Sequence, residues 1–275
     1  MPPELTSARS ARVTEVRHLH DRRHRVERGA FVVEGPQSVR EAVASGVEEL
    51  FTTEAALDRH PDIVAAARAS GARVVTATED VIAAMSETRQ PQGLIAVCPL
   101  VTTPLASVVA AATAAPSPLL VVLDRVSDPG NAGTIIRSAD AMGASGVVLT
   151  EGSVDPHNGK CVRSTAGSLF HLPIAAGVLP SDAIQACAAA GIAIVLADSH
   201  AREGIERCGE LLRAPLAWVF GSEAHGVPSA WHEHAAGSVR IPMPGSAESL
   251  NLAAAAAICL YATSRARDTE GPRDI

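Results

Sequence analysis

Uninterrupted apolar runs alternate with helical patterns through the second half of the chain. The run Leu119–Asp124 is apolar up to its last residue, which is typical of a parallel strand that is buried on both faces. Similar runs follow at Gly146–Leu149, Ile192–Ala197, Leu216–Phe220 and Val239–Ile241. Helical patterns lie between or after these runs, at Ala132–Met142, Asp182–Ala190 and Leu250–Ala262. This alternation predicts a doubly wound α/β domain with a parallel central sheet.

The first half alternates in the same way but over shorter segments. Its strand-like segments are Phe31–Gly35, Glu49–Thr52, Arg73–Thr76 and Leu94–Val97. Its helical segments are Pro36–Ser45, Ile63–Ala69 and Asp80–Met85. The pattern predicts a small domain of the α/β or α+β class.

A proline-rich stretch separates the two halves. Residues 99–118 contain Pro99, Pro104, Pro116 and Pro118 around an alanine-rich patch with room for one helical turn. We therefore divide the chain into a first domain at residues 1–98, a linker at 99–118 and a second domain at 119–275.

Composition limits the ways in which the chain could bind nucleic acid. The formal net charge is −7, so any affinity for RNA must come from local basic patches. Aromatic residues make up 3% of the chain, which argues against base stacking as the main contact. The segment Arg9–Arg28 is basic, and it is either a solvated first helix or a contact for RNA phosphates. On the second interpretation the contacts would come from Arg22, Arg23 and Arg25.

Cysteine spacing and hydropathy point to a cytoplasmic protein without a metal site. Five cysteines are scattered without a CxxC pair, so neither a zinc site nor a disulfide framework is predicted. The N-terminus lacks the apolar stretch of a signal peptide, and no apolar run is long enough to predict a membrane span.

Three loops at predicted strand ends are rich in glycine and polar residues. The first runs from Ser127 to Arg137, the second from Phe220 to Pro228, and the third from Ile241 to Leu252. Ligands bind at the carboxyl ends of strands in open parallel sheets, so these loops are the candidate site. None of them contains the GxGxxG dinucleotide fingerprint or a phosphate-binding P-loop, which disfavours an ordinary nucleotide-binding enzyme.

Each loop also has an ordinary structural explanation. Asn131 could cap the helix that follows it, while Ser249 could be an N-cap with Asn251 in the first helical turn. Arg137 and Glu223 could simply be solvated. The three loops together, in this order, are harder to explain as turns and caps.

The ordered set of motifs resembles the signature of the SpoU family of SPOUT methyltransferases. The first motif is Asn-x-Gly-x-Ile-x-Arg at Asn131–Arg137, and the second is Gly221–Glu223 with Gly226. The third is Ile241–Met243 followed by Ser249–Asn251. The resemblance extends from about Leu119 to Arg265. The first half is similar to the small L30e-like RNA-binding domain of that family, and the whole chain is most similar to actinobacterial ribosomal-RNA members of the thiostrepton-resistance type.

The resemblance implies a trefoil knot near the C-terminus, a homodimer, and S-adenosyl-L-methionine (SAM) bound in the knot. Glycine and apolar positions in the loops would let backbone groups and flat side chains hold the adenosine part. The cofactor-binding residues that it implies are Leu196, Ala197, Gly221, Ile241, Met243 and Leu250.

The resemblance also implies a reaction, which is methyl transfer to a ribose 2′-hydroxyl in structured RNA, with 23S ribosomal RNA as the expected target. A guanidinium is effectively always protonated, so Arg137 is better suited to anchoring a phosphate and polarising the hydroxyl than to removing a proton. Arg163 is a further expected phosphate contact. Transfer RNA as the target, and a catalytically silent relative that binds SAM or RNA, remain open alternatives. The catalytic residues implied are Asn131, Arg137, Glu223, Ser249 and Asn251.

Overall fold

The structure is a computed structural model that describes residues 3–268. Its first part contains short helices and strands in alternation. In chain order these are α1 (Ala11–His18), α2 (Arg22–Arg28), β1 (Ala30–Glu34), α3 (Pro36–Ser45), β2 (Glu49–Thr52), α4 (Glu54–Arg59), α5 (Pro61–Ala69), β3 (Arg73–Thr76), α6 (Glu79–Met85) and β4 (Leu94–Pro99).

The rest of the described chain adds seven strands and seven helices, with 3₁₀ turns at Ser168–Phe170 and Ile205–Arg207. These elements are α7 (Leu105–Ala114), β5 (Leu119–Leu123), α8 (Pro129–Ala141), β6 (Gly146–Thr150), α9 (Gly159–Thr165), β7 (Ile174–Val178), α10 (Pro180–Ala189), β8 (Ala193–Ala197), β9 (Glu203–Gly204), α11 (Gly209–Arg213), β10 (Leu216–Phe220), α12 (Ser229–His232), β11 (Gly237–Arg240) and α13 (Leu252–Arg267).

The chain forms two compact units that do not follow the sequence in simple succession. Unit 1 contains the residues up to Val101 together with Asp155–Phe170. Unit 2 contains Thr102–Val154 and the residues from His171 onward. The segment Asp155–Phe170, which carries α9, therefore lies in unit 1, whereas the sequence pattern had placed it in the second domain.

The predicted linker is largely a helix that belongs to unit 2. α7 begins after Pro104 and ends before Pro116, so the prolines limit the helix at both ends. Val108 and Ala112 on one face of α7 are completely buried in the core of unit 2. The proline-rich composition predicted a linker with room for one helical turn, where the structure has a ten-residue helix.

Unit 1 is built on a four-stranded mixed sheet in the order β1-β4-β2-β3. β4 is antiparallel to both β1 and β2, while β2 and β3 are parallel. The alternation of helices with the strands of a mixed sheet agrees with the expected small α/β domain. Its core packs Phe51, Ile82, Met85 and Ile95 between the sheet and helices α1 and α6.

The basic N-terminal segment forms two helices instead of one. Asp21 accepts hydrogen bonds from the backbone N–H groups of Arg23 and His24, so it caps α2 and separates it from α1. These bonds, with that from Arg23 first, lower the pKa of the Asp21 carboxyl. Gly29 ends α2 in the left-handed region, with φ of +67°.

Arg25 was expected to contact RNA, and this prediction is wrong because Arg25 is a buried structural residue. Its side chain is 4% exposed, and Nε and Nη2 both donate to the carboxylate of Asp155, at 3.0 and 2.7 Å. Nη1 donates to the carbonyl oxygens of Leu19 and His20. Because these donors are used inside unit 1, the guanidinium is not available to a phosphate.

Arg163 is also occupied within unit 1. Its Nη1 lies 3.3 Å from a carboxylate oxygen of Glu34 and 3.2 Å from one of Glu87. Two carboxylates already offset its charge, which does not favour the predicted phosphate contact. Arg22 and Arg23 are exposed, and Arg23 is 82% exposed beside Glu27.

Unit 2 contains a seven-stranded parallel sheet in the order β7-β6-β5-β10-β8-β11-β9. The α/β class with a parallel sheet is therefore confirmed, and the five predicted strands form its centre. The pattern missed β7 and β9, which lie at the two edges. β7 contains Ala175, Ala176 and Gly177, and β9 is two residues long, so neither produces a long run of branched apolar side chains.

Among residues 3–268, no helix has the length and apolar character needed to cross a membrane. The same residues hold no group of His, Cys, Asp and Glu side chains arranged to bind a metal ion.

Candidate active site

The parallel register of the central strands brings the polar loops together at one edge of the sheet. Leu123 at the end of β5 pairs with Phe220 at the end of β10, and the N–H of Asp124 donates to the carbonyl of Phe220 at 2.8 Å. β8 flanks β10 on its other side. The loops that follow these strands therefore start next to one another.

The first loop leads into α8, and its N-cap is Asp128. The Asp128 carboxylate accepts a hydrogen bond from the N–H of Asn131 at 2.8 Å, and Pro129 occupies the first helical position. The alternative in which Asn131 caps the helix is therefore wrong. Asn131 lies in the first turn, and its side chain is free to bond elsewhere.

The third loop leads into α13, and its N-cap is Asn251. The side-chain oxygen of Asn251 accepts from the N–H groups of Ala253 and Ala254, at 2.9 and 3.2 Å. The alternative with Ser249 as the cap and Asn251 inside the first turn is wrong by two residues. Ser249 is exposed and precedes the helix.

A chain of three polar side chains connects the three loops. Asn251 Nδ2 donates to Asn131 Oδ1 at 3.0 Å, and Asn131 Nδ2 donates to a carboxylate oxygen of Glu223 at 2.9 Å. The backbone of α13 fixes the direction of this chain, because the oxygen of Asn251 already caps the helix and its amide nitrogen must donate onward. The chain ends on the side chain of Glu223, whose oxygen accepts the last of these hydrogen bonds.

The second loop is held closed by its own backbone. Ser222 and Gly226 form an antiparallel bridge, with the N–H of Gly226 donating to the carbonyl of Ser222 at 2.9 Å. A Cβ at Gly221 would overlap the backbone of Gly226 and Val227. Gly221 is therefore required by the approach of its own loop, which is a different reason from the approach of a ligand inferred from the sequence.

A cavity of about 730 Å³ opens beside the polar chain. Five of the six predicted cofactor-binding residues line it, while Leu196 is completely buried behind it in the core. Of the predicted catalytic residues, Glu223, Ser249 and Asn251 line the cavity, and Asn131 reaches it through its hydrogen bonds. The five lining residues of the cofactor set are Ala197, Gly221, Ile241, Met243 and Leu250.

The polar residues that follow β8 line the cavity although the sequence motifs did not predict them as site residues. Asp198, Ser199 and His200 line the cavity, and the N–H of Asp198 donates to the carbonyl of Val239 at 3.0 Å. They come directly after the predicted strand Ile192–Ala197, so the strand-end rule that located the other loops also applies to them. His225 and His232 line the cavity as well.

Arg137 projects from the third turn of α8. The helix buries Ile135, Ile136 and Ala139 against unit 2, whereas Arg137 is exposed. Within residues 3–268 its guanidinium makes no hydrogen bond or ion pair. The sequence had placed Arg137 in the second turn, because the helix begins three residues earlier than predicted. Its five donors are available to a ligand from solvent.

These features match a known family. Residues 118–261 match the SpoU rRNA Methylase family, and residues 10–96 match the MRM3-like substrate binding domain. The chain belongs to the SpoU rRNA methylase family, and its first unit contains a substrate-binding domain of the MRM3-like type.

Relatives of known identity match along nearly the whole chain. A 23S rRNA (guanosine(2553)-2′-O)-methyltransferase, RlmP of Bacillus subtilis, is 33% identical over 271 residues, which are 94% of this chain and 98% of the relative. The structure is similar to an AdoMet-bound rRNA methyltransferase from Sinorhizobium meliloti, with TM-score 0.84 and 32% identity, covering 95% of this chain and 97% of that one. It is also similar to the SpoU methyltransferase AviRb from Streptomyces viridochromogenes in complex with AdoMet, with TM-score 0.82 and 31% identity, covering 95% and 99%.

Replacing Asn251 by Asp separates its capping role from its role in the polar chain. Aspartate still accepts the N–H groups of Ala253 and Ala254, but it cannot donate to Asn131 and adds a charge near Glu223. We expect Asn251→Asp to keep the wild-type melting temperature and to reduce kcat about 100-fold, as for the loss of a preorganised contact.

The matched control is Asn251→Ala, which loses the cap as well as the donor. It should lower stability by about 1 kcal/mol in addition to reducing kcat. Full activity in Asn251→Asp, measured by methyl transfer, would show that the polar chain is not needed.

Proposed function

We propose that this protein transfers a methyl group from SAM to a ribose 2′-hydroxyl in 23S ribosomal RNA. The observation that carries the proposal is the polar chain Asn251–Asn131–Glu223, which joins three strand-end loops beside a single cavity. The family, the 2′-O-methyltransferase relatives and the AdoMet-bound neighbours support the same reaction.

The cavity has the size and chemistry that SAM requires. Its volume falls in the range of small-molecule sites. Ile241, Met243 and Leu250 offer apolar surface for the adenine, and the carboxylates of Asp198 and Glu223 suit a cationic ligand. SAM bound there would supply an electrophilic methyl group on a positively charged sulfonium.

The residues around the cavity divide into positioning groups and a group that contacts RNA. Asn131, Glu223 and Asn251 hold the three loops in register, and Ser249 lies on the exposed rim. Glu223 is bound by Asn131, so it couples the second loop to α8. Arg137, which has no partner in the part of the chain that the structure describes, anchors the phosphate beside the target ribose and polarises the hydroxyl. The proton then leaves to phosphate or water.

Transfer of a labelled methyl group tests the reaction. Purified protein, SAM carrying a labelled methyl group and an unmodified 23S rRNA transcript should give labelled RNA. Methylation of one 2′-hydroxyl should make the phosphodiester bond on the 3′ side of that nucleotide resistant to alkaline cleavage. If a pool of transfer RNA were labelled and the 23S rRNA transcript were not, the substrate would be transfer RNA and the proposal of 23S rRNA would be wrong. SAM binding without transfer to either RNA would indicate a silent relative.

Unit 1 would recognise the RNA through its exposed basic surface. Arg22 and Arg23 on α2 are exposed, in contrast to the buried Arg25. Contacts of this kind release counterions, so the affinity for RNA should fall as salt is raised.

We infer that the segment after β10 is threaded into a trefoil knot. The sheet order supports this, because β8 lies between β10 and β11 although it precedes both in the chain. A crystal structure traced through residues 221–251 would test the threading.

We also infer a homodimer that acts in the cytoplasm. α13 presents exposed apolar side chains on one face, with Ile258 39% and Tyr261 57% exposed. The five cysteines, which all lie within residues 3–268, are buried and form no disulfide, which fits a reducing compartment. Sedimentation equilibrium would measure the oligomeric state, and a monomer would contradict this inference.

A further inference from the structure

Arg125 adopts a backbone conformation that residues with a Cβ rarely occupy. Its φ is +54°, and within residues 3–268 the other non-glycine residue with positive φ is Ala166. Ala166 ends α9, where the left-handed conformation is usual. Arg125 follows a strand, so helix termination does not explain its conformation, and such outliers concentrate at functional sites.

Several contacts hold the inner part of Arg125 in place. Its N–H donates to Thr150 Oγ1 at 3.1 Å, and its Nε donates to Asp124 Oδ2 at 3.2 Å. Asp124 is completely buried and also accepts from Thr150 Oγ1 at 3.0 Å. The alkyl part of Arg125 passes over Gly152, where an added Cβ would lie 3.3 Å from Arg125 Cγ.

The outer part of the same side chain has no partner. Within residues 3–268 neither Nη atom of Arg125 donates to a protein oxygen, and the side chain is 49% exposed. A guanidinium that is fixed at Nε and open at both Nη atoms loses little conformational freedom when it binds an oxyanion.

The position of Arg125 in the fold favours a role in RNA binding over a role in cofactor binding. Arg125 is not among the residues that line the cavity. It follows Asp124, whose N–H bonds the carbonyl of Phe220 at the start of the Glu223 loop, and it precedes the cap of α8. Arg137 lies about 12 Å along α8 from the first residue of the helix, so the two arginines are at different points of the segment that runs from β5 through α8.

We propose that Arg125 is a second phosphate anchor, which holds a backbone phosphate of the RNA other than the one held by Arg137. The proposal rests on the proposed function of this site in RNA methylation. It adds that the strained conformation after β5 aims a preorganised guanidinium at the RNA backbone. Arg125 thereby positions the RNA, and it contributes to KM for RNA more than to kcat.

Binding of an unmodified 23S rRNA transcript, measured over a salt series, tests the proposal. Arg125→Gln keeps a donor for Asp124 but removes the charge, and we expect it to weaken binding about tenfold. The slope of log K against log salt should fall by about 0.7 to 0.9, the value for one phosphate contact. KM for RNA should rise while kcat and the calorimetric affinity for SAM stay within about twofold.

Arg207→Gln is the matched control. Arg207 is an exposed arginine of unit 2 that follows the edge strand β9, and its replacement should leave the salt slope unchanged. Arg125→Lys is the second variant, because it keeps a cation beside buried Asp124 but loses the bidentate guanidinium. Its affinity for RNA should lie between those of the wild type and Arg125→Gln, and its salt slope should equal that of the wild type.

Three results would overturn the proposal. They are an unchanged salt slope in Arg125→Gln, an equal change in Arg207→Gln, or a parallel loss of SAM affinity and melting temperature, which would make the Asp124 pair purely structural. These results differ from a failure of the proposed function, in which the wild-type protein itself would not methylate RNA. Binding of the RNA can be measured in either case.

Discussion

Replacing Arg137 by Ala reduces kcat for RNA methylation about 1,000-fold and leaves the affinity for SAM nearly unchanged. The expected size is that of losing a charged group that stabilises a transition state. Arg137 does not line the cavity and has no partner among residues 3–268, so its removal disturbs neither the cofactor site nor the fold. Single-turnover methyl transfer gives the rate, and calorimetry gives the affinity for SAM.

Two variants control for this result. Arg137→Lys keeps the positive charge without the bidentate fork and should recover part of the rate. Arg207→Ala, at another exposed arginine of unit 2, should behave as wild type. If Arg137→Ala lost rate and SAM affinity equally, Arg137 would instead be part of the cofactor site.

Replacing Asp155 by Ala should destabilise the protein by about 3–5 kcal/mol, the usual cost of leaving a buried charge without its partner. Arg25 would keep only two carbonyl contacts for its buried guanidinium. Urea unfolding measures the loss, and hydrogen exchange of the amides in β1 locates it in unit 1. Asp62→Ala is the matched control, because Asp62 pairs with Arg40 on the surface, and it should change stability little.

The same pair predicts a dependence on pH. Burial alone would raise the pKa of Asp155, but hydrogen bonds from His157 and Arg25 outweigh it and hold the pKa below its usual range. The stabilisation is therefore fully present above the unfolded-state pKa of about 3.9 and is lost as the pH falls through the folded-state value. The stability difference between wild type and Asp155→Asn should be constant from about pH 7 to 5 and should shrink below about pH 4. A difference that grows in acid would contradict the assignment.

Local pattern was sufficient to predict the central strands and six of the thirteen helices among residues 3–268. Leu216–Phe220 matches β10 residue for residue, and the predicted run Leu119–Asp124 is one residue longer than β5. Strands buried on both faces have a distinctive composition, which explains this agreement. α3 was also predicted with its observed bounds, since Pro36 marks its start. The two-residue strand β9 and the glycine-containing β7 carry too little apolar signal to be found in this way.

The site was predicted less evenly than the fold. The motifs located Asn131, Glu223 and Asn251, but which residue caps each helix depends on side-chain geometry that spacing does not define. The expected RNA contact at Arg25 was wrong for a related reason, whereas those at Arg22 and Arg23 stay predictions. Arg22, Arg23 and Arg25 are the same residue type in the same short segment, so the sequence does not distinguish them. The contact with Asp155, which is distant in sequence, buries Arg25 and leaves its two neighbours exposed.

The placement of Asp155–Phe170 in unit 1 limits how this protein can be recombined with its relatives. A chimaera joined at residue 101 would carry Arg25, Glu34 and Phe31 from one parent and their partners Asp155, Arg163 and His157 from the other. A chimaera that is meant to exchange the RNA-recognition unit must therefore replace both parts of unit 1 together, which are the residues up to Val101 and Asp155–Phe170.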